Sequence, residues 1–320
     1  MEILLWSLIV TGAAVACAQM LRWVTKRILK DNIFSIVDEF LAALQCSIGI
    51  LECGVISGAF GSWSWITIMS VFVFSSVKHF TFIRGKYIGN PVSFIDRYYL
   101  AGKAFVDSPV FIFSKISAQV AGALMAHPVS RMFWGKTYCS HHSRALLLEC
   151  KTSLSVPFMH GFFAEFITTF IAWSVDSVTP VKWKPPIRSA VSLSLFFAFF
   201  ETSGAWMNPA IASAHTFNCL GHQNLWEHFI TYWLGPYLAA IVFYEIREVL
   251  IVMRENVSSS PLKQDQHAFA SKSLVESNEK HSNYKDETQD SVKSPAVPNS
   301  KYHRLAGGSL RQRVSNVGSL

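Results

Sequence analysis

The chain has 320 residues, of which 51% are hydrophobic and 15% charged, with a formal net charge of +7 and a mean hydropathy of +0.29. That is too apolar for a soluble enzyme of this length, and the polarity is concentrated at one end: beyond about residue 255 the chain turns rich in Ser, Lys, Glu and Asn. The composition predicts a polytopic membrane protein with one disordered tail. Its basic residues sit in short segments beside apolar runs, which is a topology pattern and not a nucleic-acid footprint.

A helical crossing needs roughly 20 mostly apolar residues, and within lipid only helices and closed barrels satisfy their own backbone groups. Seven runs qualify: Ile3–Val24, Ile33–Ala59, Trp63–Ile83, Val110–Trp134, Val156–Val175, Ser189–Phe200 continuing towards Trp206, and Trp226–Met253. The first has no basic residue ahead of it and Arg22, Lys26, Arg27 and Lys30 at its end. It reads as an uncleaved anchor with its amino end outside the cytosol, because a cleaved signal carries its charge before the apolar core. Alternation then puts Arg84, Lys86, Arg97 and Lys103 inside, Lys182, Lys184 and Arg188 inside, and the tail inside. One loop runs against the bias: Arg131–Ser155, with Arg131, Lys136, Arg144 and Lys151, falls outside.

The chain also repeats itself. Glu39 in "VDEFLAALQCSIG" has a counterpart in Glu165 of "HGFFAEFITTFIA", each a carboxylate followed by Phe and apolar residues. Asn90-Pro91 in "FIRGKYIGNPVSFIDRYYL" parallels Asn208-Pro209 in "FFETSGAWMNPAIASAHTF", and "SAQVAGAL" parallels "TYWLGPYLAA". Each unit holds three spans, an odd number, so the second enters the membrane in the opposite sense. Inverted repeats with broken helices are a transport architecture. About ten moderately apolar residues follow each Asn-Pro, which suits a re-entrant half-helix better than a crossing.

Asn is a strong helix cap and Pro is favoured at the first helical position, so each Asn-Pro is expected to start a helix. The Asn oxygen accepts from backbone, which leaves its amide N–H groups to donate. Two such tips would aim donors and positive dipole ends into one lumen, holding water and repelling cations. A single Asn-Pro is an ordinary turn or cap; the matched pair is what points to a pore.

Together these residues resemble the aquaporin (major intrinsic protein) family over roughly Ile33 to Met253. Asn208-Pro209-Ala210 is similar to that family's second signature box, and Asn90-Pro91-Val92 to a first box with Val in place of Ala. The altered first box, the extra amino-terminal span and Cys219 shortly after the second box resemble the unorthodox superaquaporin branch. The resemblance implies an all-α fold: six transmembrane helices, two half-helices and one extra amino-terminal helix. It implies domains at 1–30 (anchor and basic flank), 31–254 (channel, with halves 33–134 and 156–253) and 255–320 (cytosolic tail).

It further implies that Glu39 and Glu165 accept bonds from the loops carrying the half-helices, and that Cys219 supports pore structure or assembly. A small buried hydrophobe is the plainer reading of Cys219. The filter positions it implies are Phe196, Ala205, Ile211 and one of Ile68 or Phe72. Ile211 stands where water channels of the family carry Arg, and Phe196 where they carry His, so the filter is more apolar; Phe196 also reads as simple packing. The expected partners are water, small neutral solutes (glycerol, hydrogen peroxide), the bilayer and three further copies in a homotetramer. An endoplasmic-reticulum or vesicle membrane is implied, with the plasma membrane as the other choice.

No nucleotide motif, catalytic triad or Cys/His metal spacing is visible, so no enzyme activity, cofactor or metal is expected; His141-His142 has no partners at zinc spacing. The rival readings are a secondary transporter using the glutamates, and a non-conducting structural member. Asp38 reads as interfacial. Cys139 and Cys150, both in the outside loop, are a candidate disulfide. In the tail, Ser309 and Ser315 near basic residues read as kinase sites or as plain solvated chain. The sequon at Asn256-Val257-Ser258 would face the cytosol unused.

Overall fold

The computed structural model describes residues 2–85, 89–137, 139–217, 219–221 and 224–258. Lys86 and the tail positions Ser309 and Ser315 lie outside them. The regular elements among the described residues are helices, with one isolated bridge between Lys151 and Leu220: α1 Glu2–Ile28, α2 Asp31–Phe60, α3 Trp65–Gly85, α4 Ser93–Leu100, α5 Pro109–Trp134, α6 Ser140–Leu147, α7 Phe158–Val178, α8 Lys184–Phe199, α9 Pro209–Phe217, α10 Leu225–His228 and α11 Gly235–Ser258. A π-helical stretch, Phe229–Leu234, joins the last two. Four of these helices, α1, α2, α5 and α7, are long and apolar enough to cross a membrane by length and composition alone. This is an all-α, multi-pass membrane architecture, with residues Met1–Val252 forming one compact unit.

The two repeats are α2, α3, α4, α5 and α7, α8, α9, α10–α11. Each presents two long helices, a short one after Asn-Pro, and a closing helix. They join where α3 packs on α8 and where α9 packs on α5 and α2. The second contact works because the residues there are small: Ala43 of α2, Ala123 of α5 and Ala214 of α9 are all fully buried against one another. Close approach of α2 and α5 also requires Gly122, where a Cβ would run into the Phe40 carbonyl. Gly235 of α11 is tight against the Phe162 carbonyl of α7 in the same way, with 3.1 Å left for a Cβ.

The amino-terminal helix is fastened to the first repeat by a seam. Ile3, Ser7, Val10, Ala14, Ala18 and Arg22 are the buried residues of α1, a three-to-four-residue spacing that makes one face. Val10 and Ala14 meet Ile48 and Ala126. At the far end the seam is ionic: Arg22 Nε donates to Asp38 Oδ1 at 2.6 Å and Arg22 NH1 to Gln45 Oε1 at 3.0 Å. Asp38 is 9% exposed and paired inside the bundle.

Between the repeats the loop folds into α6, which lies over the ends of α2 and α5. Its His142 is fully buried and meets Glu52 Oε2 at 3.0 Å, while Trp134 Nε1 donates to Glu52 Oε1 at 2.5 Å. Cys139 packs beside Ile3, Val55 and Trp134 as a thiol, and Cys150 is joined to Cys219. The Cys139–Cys150 pairing is thus overturned: Cys139 is used as a core hydrophobe, and the bridge ties the loop ahead of α7 to the segment after α9.

Candidate functional site

The two Asn-Pro segments meet. Asn90 Nδ2 donates to the Met207 carbonyl at 2.9 Å, and Asn208 Nδ2 donates to the Gly89 carbonyl at 2.8 Å. Gly89 and Met207 each immediately precede their Asn, so every Asn grips the backbone in front of the other. Each side-chain oxygen faces its own chain: Asn90 Oδ1 accepts from Val92 N at 3.0 Å and Asn208 Oδ1 from Ala210 N at 3.1 Å. This revises the picture of amides wholly turned outward. One N–H of each is committed across the repeat, and a primary amide has two. The prolines and residues behind them, Pro91, Val92, Pro209 and Ala210, are fully buried.

The two helix starts differ. α9 begins at Pro209, directly after its Asn. α4 begins at Ser93, after a turn through Pro91 and Val92 in which Ser93 N bonds to Asn90 O at 3.2 Å.

The loops that deliver these residues are held by the two buried carboxylates. Glu39 Oε2 accepts from Gly89 N and from Gln119 Nε2, both at 2.8 Å. Glu165 Oε1 accepts from Ser203 Oγ at 2.8 Å and Trp206 N at 2.9 Å, and its Oε2 from Met207 N at 2.8 Å. The repeats are thus matched bond for bond at Gly89 and Met207. Where Gln119 steadies the first glutamate, Tyr232 of the second repeat donates instead to the Ser203 carbonyl at 2.8 Å.

The second loop needs this support. Ala205 and Met207 both have positive φ, 46° and 50°, a region disfavoured for residues with a Cβ. Each such residue costs about 1–3 kcal/mol and persists only when its surroundings over-determine it. Glu165 does that by binding the N–H groups of Trp206 and Met207. The first repeat spends a glycine at the matching place, Gly89, φ 59°.

α4 is held at its outer end as well. Trp173 Nε1 of α7 donates to Asp96 at 2.5 Å, Tyr99 stacks on Tyr244 with ring centres 4.7 Å apart, and Tyr99 Oη donates to Glu245 at 2.6 Å. Lys103, just beyond the half-helix, pairs with Glu248 and Glu245, and those carboxylates raise its pKa above the usual lysine range.

The proposed filter residues are placed as follows. Ile211 and Ala205 flank the second Asn-Pro and are both 4% exposed. Phe196 is half-buried on α8, its ring against Phe200, just past the end of that helix, and Phe197 at 5.1 and 5.4 Å. Ile68 and Phe72 are half-buried on α3, the helix that packs on α8. Cys219 lies in the disulfide with Cys150. Residues to which sequence reasoning gave no role are Gln119, Tyr232 and Glu52. Gln119 and Glu52 carried a signal, as polar residues within otherwise apolar spans.

No model of a known protein family matches the chain. Among curated proteins it is similar to two from Homo sapiens named as aquaporin-12B and aquaporin-12A, each 30% identical over 129 residues, which is 38% of this chain and 43% of theirs. It is 27% identical to aquaporin-12 of Mus musculus over 199 residues, 60% of this chain and 65% of that one. The chain thus spans under half the length of the human relatives it matches.

Proposed function

We propose that the chain is a member of the aquaporin family and, on that premise, a passive transmembrane channel for water and small neutral solutes, with glycerol and hydrogen peroxide as candidates. The observation that carries the reading is the reciprocal pair of amide bonds, Asn90 to Met207 and Asn208 to Gly89. It brings two half-helix starts to one point and leaves each Asn a second N–H for a solute oxygen. Helix N-termini and amide donors there oppose cations and protons while accepting a neutral hydrogen-bonding solute. Asn90, Pro91, Val92, Asn208, Pro209 and Ala210 form the constriction in this proposal. Phe196, Ala205, Ile211 and Ile68 or Phe72 form a wider apolar filter, because Ile211 offers no donor. Assembly as a homotetramer, residence in an intracellular membrane and a cytosolic tail belong to the same proposal.

The secondary-transporter reading is the weaker one. Coupling to an ion needs carboxylates that exchange partners, whereas Glu165 is engaged by Ser203, Trp206 and Met207 and Glu39 by Gly89 and Gln119, the groups that shape the loops. Stopped-flow swelling of proteoliposomes carrying the purified chain tests the proposal, with water, glycerol and peroxide compared. The expected result is a permeability above empty liposomes for at least one of the three, non-saturating and independent of ion gradients. Permeability equal to empty liposomes for all three overturns it.

A further inference from the structure

We propose that Cys150, Cys219 and His127 form a redox-convertible Zn2+ site, closed while the two sulfurs are joined and opened when a dithiol reductant separates them. The ligand atoms of the three residues lie within 4.8 Å of one another. They come from three segments: His127 from α5, Cys150 from the loop ahead of α7, and Cys219 from the segment after α9, 69 residues further on. His127 Nε2 is buried and has no hydrogen-bond partner among the described residues. A buried imidazole with an unmatched nitrogen, in a ring that reaches two sulfurs, points to a ligand.

The sulfurs would stay together after reduction, because their backbones are bound independently of the disulfide. Leu220 N donates to Cys150 O at 2.7 Å and Thr152 N to Leu220 O at 3.0 Å. Gly221, with φ 147°, lies so close to Thr152 that a Cβ has no room. Tetrahedral zinc with sulfur at about 2.3 Å and nitrogen at about 2.0 Å asks for ligand atoms about 3.3–3.8 Å apart. The sulfurs therefore open modestly and the imidazole closes modestly. His127 and Cys150 also line a crevice of about 920 Å3 between α2, α5 and α6, which supplies a path for the ion and a water for the fourth position.

The chemistry balances. The dithiol gives two electrons and two protons to the S–S bond and leaves as its own disulfide, producing two protein thiols. Zn2+ then replaces one proton on each thiol, and two protons pass to solvent. The metal takes over from the disulfide as the clip between the loop ahead of α7 and the end of half-helix α9.

Co2+, which reports thiolate and tetrahedral geometry by its absorption, is the probe. The full chain, purified in detergent, is titrated before and after treatment with a dithiol that is then removed anaerobically. After reduction one equivalent of Co2+ is expected to give thiolate charge-transfer and tetrahedral d–d bands that Zn2+ abolishes; without reduction there are none. Cys219→Ser removes the bands. His127→Gln weakens binding by at least about tenfold, since changes outside the ligand shell alone cost about 10–100-fold. Folding of the His127→Gln chain is checked by its disulfide, read as resistance of Cys150 and Cys219 to alkylation before reduction. A reduced wild-type chain without the bands overturns the proposal, as do bands unchanged in Cys219→Ser or His127→Gln, which assign the binding to other thiols.

Discussion

Asn208 donates its side-chain amide to the carbonyl of Gly89 at 2.8 Å, the backbone immediately ahead of Asn90, and Asn90 returns the bond to Met207 at 2.9 Å. An Asn208→Asp change keeps the oxygen that accepts from Ala210 but replaces the donor with a second oxygen facing a carbonyl. An unsatisfied buried partner costs about 1–3 kcal/mol, and more when charged. The expected outcome is a lower melting temperature in detergent together with loss of most of the stopped-flow permeability. Unchanged permeability in a folded variant removes Asn208 from the constriction.

The two residues ahead of the asparagines behave differently when exchanged. Gly89 has φ 59° and Met207 φ 50°, so Gly89→Ala adds a Cβ where left-handed backbone costs about 1–2 kcal/mol. Met207→Gly removes that strain but loosens the unfolded chain by about 0.5–1 kcal/mol, so it should stay within about 1 kcal/mol of wild type. Thermal unfolding of the two variants side by side checks the asymmetry.

Glu165 is predicted to need both of its oxygens. Its Oε1 accepts from Ser203 and Trp206 and its Oε2 from Met207. A Gln at 165 must turn its nitrogen towards either the Met207 N–H or the Ser203 and Trp206 donors. Glu165→Gln is expected to cost about 2–3 kcal/mol, read from thermal or denaturant melts.

Much of this was legible in the sequence because it depends on local residue type. Apolar runs gave the helices, Asn-Pro gave the breaks, and a carboxylate in a span gave the internal anchors Glu39 and Glu165. Pairing across the fold was not legible. Nothing near Cys150 distinguishes Cys219 from Cys139 as its partner, since connectivity follows from the fold and not from spacing. Arg22 read as a flanking charge and Asp38 as an interfacial one, although the two meet at 2.6 Å. Only the packing of α1 on α2 turns them into a pair. The bonds that commit one N–H of each Asn were hidden for the same reason: their acceptors, Gly89 and Met207, lie in the opposite repeat.

The ionic end of the α1 seam gives a double-variant test. Arg22→Met alone leaves Asp38 buried without its cation, and breaking a buried pair from one side costs about 3–5 kcal/mol. Replacing both, Arg22→Met with Asp38→Leu, should recover most of that loss, because a well-packed apolar pair is often equal or better. The check is the melting temperature of the two single variants and the double. Additive losses in the double mean that Arg22 and Asp38 act separately.

Packing of the half-helix links stability to permeation. Ala43, Ala123 and Ala214 are each fully buried where α2, α5 and α9 meet, so the site has no room for a larger side chain at 214. Overpacking costs about 1–3 kcal/mol where the surroundings can shift. Here the shorter element yields first, since α9 has nine residues and α5 twenty-six. Ala214→Leu is therefore expected to push α9 outward and move Asn208 with it, since Asn208 directly precedes the first residue of this short helix. Permeability should fall much further than the melting temperature suggests. Ala214→Ser, which is nearly isosteric and can bond back to its own helix, should leave both close to wild type. Equal loss of permeability in both variants would mean that the position acts through polarity, and not through the seat it gives the half-helix.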